Sequence, residues 1–225
     1  LTISAPGADA LTLDGLGGDD SISIASSTLF VSGVTVNGGD NGDGSDDLTV
    51  TGTAGDDTIV VALATSSVTG VVGGPISVNG IENLTANGGG AAAGDDLDVT
   101  GFGAVSGLER LEINANSLAG DTLDVTGTAG NDTIHFNATD ANSGTITRSG
   151  TGTTIDYAGL DAAAVLTVQG GTAGFDILHV LGTEGDDTVT MPTASSVTRD
   201  GTVTIGAGID RLDITAAGGD DTVTL

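Results

Sequence analysis

The sequence predicts an all-β fold, an elongated right-handed parallel β-solenoid of the β-roll kind with hairpin excursions. Three observations point there. A few short phrases recur in fixed order along the 225 residues. Apolar residues alternate with threonine and aspartate inside each phrase, and no stretch carries a sustained helical stripe. A narrow coil suits such a sequence, because each short strand gains its core by stacking on the turn before it.

The first phrase is an apolar strand, "LTVTGT" from Leu48, "LDVTGF" from Leu97, "LDVTGT" from Leu123 and "LHVLGT" from Leu178, at spacings of 49, 26 and 55 residues. These starts divide one continuous array into units 1–47, 48–96, a short 97–122, 123–177 and 178–225. Alternation sends Leu48 and Val50 inward and Thr49 and Thr51 outward. The second phrase is an acidic turn with its strand, "GTAGDDTIV" from Gly52, "GTAGNDTIH" from Gly127 and "GTEGDDTVT" from Gly182. Here Ile134 and Phe136 face in and His135 faces out. The third phrase begins "GIENL" at Gly80, "GLERL" at Gly107 and "GIDRL" at Gly208.

Between the second and third phrases the pattern reads as a hairpin. "SVTRDGTVTI" from Ser196 carries Asp200-Gly201 between two alternating segments, a strong hairpin signal. "TITRSGTGTTIDY" from Thr145 and "TLFVSGVTVNG" from Thr28 have the same outline. The short unit lacks both the second phrase and the hairpin, so the hairpins read as additions to a coil. "DAAAVLTV" from Asp161 is the nearest thing to a helix, and its second half still reads as strand. Two tandem antiparallel sandwich domains are the alternative architecture.

Composition bounds the function. There are 31 acidic residues against four Lys and Arg, a formal charge of -27, with no cysteine. Such repulsion favours an unfolded chain, but the alternating Val, Ile and Leu argue for a folded one, neutralised by a multivalent cation. Nucleic acid is excluded as a partner, since no basic surface can displace counterions. Disulfides and thiolate metal sites are excluded too. No apolar run has the length of a membrane span. The chain starts and stops inside apparent strands, which leads us to expect a piece of a longer protein.

The acidic turns resemble the haemolysin-type calcium-binding repeats of secreted bacterial proteins, G-G-x-G-x-D-x-U-x with U a large apolar residue. The three second phrases fit through Asp57, Asp132 and Asp187; "GLGGDDSIS" from Gly15 fits through Asp20, and "GTAGFDILH" from Gly171 through Asp176. Looser copies start at Gly44, Gly94, Gly120 and Gly219. The resemblance implies several Ca2+ ions held by stacked turns. It implies Asp19, Asp20, Asp46, Asp47, Asp56, Asp57, Asp95, Asp96, Asp121, Asn131, Asp132, Asp176, Asp186, Asp187, Asp220 and Asp221 as metal residues. The layout, with turns in pairs rather than in tandem, is similar to the β-strand-repeat regions of very large bacterial surface proteins. Asp and Gly are also the ordinary residues of any turn.

Other chemistry is thin. His135 and His179 read as outward surface residues. Glu109 and Glu112 suggest a glycosidase pair but sit in a repeated strand phrase, and Arg148 and Arg199 lie in the hairpins. Asn83, Asn131 and Asn137 stand in sequons that a threonine-rich chain produces by chance.

The expected function is therefore structural and not enzymatic. The chain reads as a stalk, fibre, adhesin or surface-layer-like segment of an extracellular bacterial protein that folds and stiffens on calcium. Its expected partners are calcium, copies of itself or neighbouring repeats, and cell-surface glycans. A secretion or folding module of a secreted enzyme is one alternative. A carbohydrate- or ice-binding module using threonines such as Thr49, Thr51 and Thr58 is another.

Overall fold

In the computed structural model, the structure describes residues 9–39, 45–90, 94–103, 107–116, 120–150, 152–161 and 165–225. Gly44, where one looser turn copy begins, lies outside them. The described strands are β1 (Ala10–Asp14), β2 (Ser21–Ala25), β3 (Gly33–Asn37), β4 (Asp47–Thr51), β5 (Thr58–Ala62), β6 (Ser67–Thr69) and β7 (Ile76–Asn79). Next come β8 (Asn83–Asn87), β9 (Asp96–Thr100), β10 (Arg110–Asn114), β11 (Thr122–Thr126), β12 (Thr133–Asp140), β13 (Ser143–Arg148) and β14 (Thr154–Ala158). The last are β15 (Val165–Gln169), β16 (Asp176–Leu181), β17 (Thr188–Thr193), β18 (Ser196–Arg199), β19 (Gly201–Ile205), β20 (Ile209–Thr215) and β21 (Thr222–Thr224). A single 3-10 turn, Leu63–Thr65, is the only helical element among the described residues.

The protein is all-β, with two mostly parallel sheets. The 12-stranded sheet runs β1-β3-β7-β6-β5-β9-β11-β15-β19-β18-β17-β21, and the 9-stranded sheet runs β2-β4-β8-β10-β14-β13-β12-β16-β20. Apart from three stretches, successive strands cross to the opposite sheet and pair in parallel with the strand laid there one turn earlier. The two sheets continue from the first strands to the last with parallel pairing, which overturns the tandem antiparallel sandwich alternative.

Register is fixed by the inward apolar positions, because a one-residue slip would turn them to solvent. One inward column crosses the whole smaller sheet: Ile22, Leu48, Leu84, Leu111, Ile155, Ile146, Phe136, Val180 and Ile214. Its central members are fully buried, and Leu48, Val50, Ile134 and Phe136 face in as their alternation dictates. Burying each such side chain is worth roughly 1.5–3 kcal/mol. This is how a chain with four Phe and no Trp holds a core.

The three exceptional stretches are meanders, β5-β6-β7, β12-β13-β14 and β17-β18-β19, each with its middle strand antiparallel to both neighbours. The chain lays the first strand of a meander well ahead and folds back. The third strand then pairs in parallel with an earlier one: β7 with β3, β14 with β10, β19 with β15. The expected hairpins at Thr145 and Ser196 are present, with Asp200 in the turn at φ 56. They lie within the sheets rather than outside them, which corrects their reading as additions to a coil. The hairpin expected at Thr28 is absent. Phe30 takes φ 57 and Gly33 φ 105, so the chain turns there, and only the second half forms a strand, β3. The short unit holds β9, β10 and the approach to β11 with no meander, as its missing phrases imply.

Candidate functional site

Each acidic turn places one carboxylate two residues before the first inward apolar side chain, so alternation points that carboxylate inward. Asp46, Asp95, Asp121, Asp132, Asp176 and Asp187 are buried in this way, Asp121 to 0% exposure and Asp95 to 1%. A buried carboxylate needs hydrogen-bond donors, and the neighbouring turns supply backbone amides. Asp20 N–H donates to Asp46 Oδ1 (2.8 Å), and Asp46 N–H to Glu82 Oε2 (2.8 Å). Asp57 N–H donates to Asp95 Oδ1 (3.0 Å), and Asp95 N–H to Asp121 Oδ1 (3.0 Å). Asp132 N–H donates to Asp176 Oδ1 (2.7 Å) and Asp176 N–H to Asp210 Oδ2 (2.9 Å), while Asp187 N–H donates to Asp221 Oδ1 (2.9 Å). The acids thus form ladders that tie each turn to the next.

The exposed residue just before the inner acid ties the same turns in the opposite sense. Ser45 N–H donates to Asp19 Oδ1 (3.2 Å), Phe175 N–H to Asn131 Oδ1 (2.9 Å) and Asp220 N–H to Asp186 Oδ1 (2.8 Å). Reciprocal bonds of this kind explain why two acidic or amide residues recur side by side. Each is charge-assisted when a carboxylate accepts, and stronger than a neutral pair for that reason.

The "GT" that opens the second phrase has its own task. Thr53, Thr128 and Thr183 each donate backbone N–H to the Oδ2 of the acid four residues on, at 2.6, 2.6 and 2.7 Å. Their hydroxyls accept from the amides of Gly55, Gly130 and Gly185. The preceding glycine is required because a Cβ at Gly52 would overlap both the Asp57 carboxylate and the carbonyl of Gly88 in the next turn.

Two inward arginines, one half-buried and one fully buried, complete the picture. Arg148 of β13 pairs with Asp132, with 16% of its side chain exposed. Arg199 of β18 is buried to 1%. It reaches Asp187 (3.4 Å), Asp200 (3.2 Å), Asn137 Oδ1 (3.0 Å) and the carbonyl of Ala138. In β6 the register places Thr69 opposite Val60 as Thr147 stands opposite His135, so the arginine's place falls to Gly70. The carboxyl of Asp187 is held below its ordinary range, first by the Thr183 amide and further by Arg199. Asp95 goes the other way: burial raises its pKa, and the charges of Asp121, Asp57 and Asp56 add to the rise.

These geometries sort the expected metal residues into two groups. Asp20, Asp46, Asp57, Asp95, Asp121, Asp132, Asp176, Asp187 and Asp221 are ladder acids. Asp19, Asp47, Asp56, Asp96, Asn131, Asp186 and Asp220 are exposed at the rim. Among the described residues no group of three or more His, Cys, Asp or Glu is placed to hold a metal ion. Calcium takes six to eight oxygens, and at Asp132 and Asp187 both carboxylate oxygens are already taken by Thr and Arg donors. Two inner acids differ: the Oδ2 atoms of Asp20 and Asp95 are buried without a hydrogen-bond partner. Those two carboxylates suit a cation, with Asp56, Asp57 and Asp121 adding negative charge around Asp95.

Sequence reading did not select Glu82, Asp210, the three capping threonines or the two arginines. The signal for Glu82 and Asp210 was present, since "IENL" and "IDRL" put an acid two residues before an inward leucine. Other candidates dissolve into surface. Glu112 is outward and paired with Arg110 at 2.8 Å. Thr49 and Thr51 lie on β4 while Thr58 lies on β5 in the other sheet, so the three share no array. The outward row through Ser23, Thr49 and Thr85 runs on into Glu112 and Asp156. A cavity of about 210 Å³ beside the 3-10 turn is lined by Val61, Leu63, Val78, Ile81, Leu84 and Leu108 with Ser66, Ser67 and Asn79, and no ionisable group. The chain matches no protein-family model, no curated protein sequence and no solved structure.

Proposed function

We propose that this chain is a structural segment of a large extracellular bacterial protein, a stalk or adhesin element built as a right-handed parallel β-solenoid and stiffened further by calcium. The observation that carries the reading is the set of acid ladders. Buried carboxylates tie turn to turn along both sheets, and every polar device found in the turns serves stacking rather than an open cleft. The crossing of successive strands between two parallel sheets supports a solenoid, and parallel crossovers are right-handed in nearly all folds. The outward rows of Thr, Asn and carboxylates are compatible with glycan contact, and on the smaller sheet Asn83, Glu109, Arg110, Thr154 and Asp156 line an open hollow of about 500 Å³.

In this reading calcium is held at the partnerless inner carboxylates of Asp95 and Asp20, with water completing its shell and Asp56, Asp57 and Asp121 adding negative charge around Asp95. It supplies charge neutralisation that the arginines supply elsewhere. Extracellular calcium modules bind with Kd on the order of 10⁻⁴–10⁻³ M. Saturation at about 10 mM is then worth roughly 1.4–2.7 kcal/mol per site. The test is thermal melting by circular dichroism in EDTA, then with rising calcium, with magnesium as control. A rise in melting temperature specific to calcium, reduced in Asp95→Asn and lost when Asp20→Asn is added, supports the ion sites. A melt that calcium does not move removes calcium from the proposal. Small-angle scattering tests the rest: an elongated particle is expected, and a globular profile would end the solenoid reading.

A further inference from the structure

Outside the acid ladders, the smaller sheet carries a second cluster of ligand-bearing side chains. His135 on β12 and His179 on β16 stand directly opposite each other on neighbouring parallel strands. Both face outward and are half-buried. Their ring centroids are 5.1 Å apart and the rings are tilted by 47°. Thr147 of β13 is in register on the far side of His135, and Asp213 of β20 on the far side of His179. Asp213 is itself paired with Arg211 at 2.7 Å.

We propose that His135 and His179 bind a divalent transition-metal ion, of the class of Zn2+, Ni2+ or Cu2+, on the outer face of the sheet. The spacing is the first argument. With metal–nitrogen bonds of about 2.0–2.1 Å and a tetrahedral angle, two imidazoles sharing one ion have centroids about 5.2 Å apart. The strand spacing of the parallel sheet presents the rings at that separation before any ion arrives. The hydroxyls are the second argument. His135 Nε2 meets Ser149 Oγ at 2.8 Å and His179 Nε2 meets Thr215 Oγ1 at 2.6 Å. When each hydroxyl accepts an Nε2–H, the tautomer is fixed and Nδ1 keeps the lone pair a metal needs, with its outer-shell partner in place.

The protonation state fits as well. Burial, and then the neighbouring ring, lower the pKa of His135, which keeps it neutral and able to ligate at neutral pH. The net charge of -27 raises the cation concentration around the chain. Two protein ligands leave the remaining positions to water, so the site is open rather than closed. Carboxylate-rich turns select hard ions such as calcium, while an imidazole pair selects softer ones. The two kinds of site therefore do not compete, and this proposal does not depend on the calcium reading.

The experiment is calorimetric titration of the full chain with zinc chloride, repeated with nickel chloride, in about 10 mM calcium to saturate the acidic turns. One ion per chain is expected, with the histidine ring resonances shifting in parallel by NMR. His135→Asn and His179→Asn each abolish the binding, Ser149→Ala weakens it roughly tenfold, and Asp95→Asn leaves it unchanged. Because the rings are outward, both Asn variants are expected to keep the wild-type circular dichroism, and a melt run alongside checks this. Binding that survives both histidine substitutions, or no binding with either metal, overturns the proposal.

Discussion

The first meander and the two later ones share a turn but not a means of neutralising it. In β12-β13-β14 and β17-β18-β19 an inward guanidinium sits against the inner aspartate, half-buried Arg148 on Asp132 and fully buried Arg199 on Asp187. In β5-β6-β7 that place belongs to Gly70, and Asp57 keeps only the amide and hydroxyl of Thr53. Next to it lies Asp95, with a raised pKa and a partnerless oxygen. One architecture therefore tolerates either an internal cation or a deficit that an external one can fill. The lesson is that the ladder sets the geometry while the charge compensation is local and interchangeable.

The largest effect expected from breaking this comparison is at Arg199. Arg199→Met leaves Asp187, Asn137 and the Ala138 carbonyl without their shared donor, and removing one partner of a buried pair costs about 3–5 kcal/mol. Urea unfolding should show a lower midpoint at unchanged slope. A midpoint within error of wild type would mean that the guanidinium is dispensable. Arg148→Met should cost less, about 2 kcal/mol, because its side chain is partly exposed where that of Arg199 is buried. Adding Asp132→Asn should recover part of that loss in a double-mutant cycle.

Transplanting the arginine does not repair the first meander. Gly70 has φ +94, and a Cβ there would overlap the carbonyl of Thr58, so Gly70→Arg should destabilise by about 1–3 kcal/mol. A gain in stability would refute the assignment of strain at this position. Thr53→Val, Thr128→Val and Thr183→Val each remove a hydroxyl and retain the capping amide, for about 1 kcal/mol apiece. Thr53 should show the greatest loss, since no arginine shares its task; equal losses at all three would erase the distinction between the meanders.

The pH dependence separates Asp95 from Asp187 by sign. The carboxyl of Asp95 holds its proton more tightly in the folded chain. That contribution is fully present below the unfolded pKa of about 3.9 and is lost as pH rises through the folded value. Asp187, lowered, contributes above the unfolded pKa and loses its contribution as pH falls through its folded one. In EDTA, Asp95→Asn should therefore gain on wild type at neutral pH, with the gain shrinking as the pH falls toward 4. A gap independent of pH would reject burial of a charged Asp95. The smallest effect belongs to Arg110→Ala, whose pairs with Glu112 and Asp156 are exposed, at about 0.5 kcal/mol or less.

Much of this was legible beforehand. Alternation gave the strand faces, and the D-x-U spacing marked most ladder acids, because both residues share the inward parity. Parity also marked what was missed. Arg148 follows Ile146, and Arg199 follows Val197, by two residues on the same buried face, but a charge in a hairpin invites reading as surface. The division of each acidic pair between inner and rim roles was not legible. A carboxylate that accepts an amide and one that binds calcium need the same local sequence, and the deciding partner lies in another turn, as Asp176 does for Asp132. The back-folding of the meanders had no local signal either. Which neighbour a strand meets depends on what has already been laid down, and the misread segment at Thr28 shows that a plausible alternation can fail where Phe30 and Gly33 turn left-handed.

That back-folding has a mechanical consequence. In a sheet laid down in strict succession, tension on one end peels the outermost strand, then the next, each at low force. Here tension from the N-terminal side releases β1 to β4 and then reaches β5, which is clamped between β6 and β9 while β7 is the strand at the exposed edge. Tension from the other side releases β21 and β20 and then reaches β19, held between β15 and β18. At a meander the next strand in line is not the free one, so it has to be sheared out of the middle of a sheet. Each meander acts as a latch in both directions, and a tether made of such units would yield in discrete, high-force steps rather than unravel.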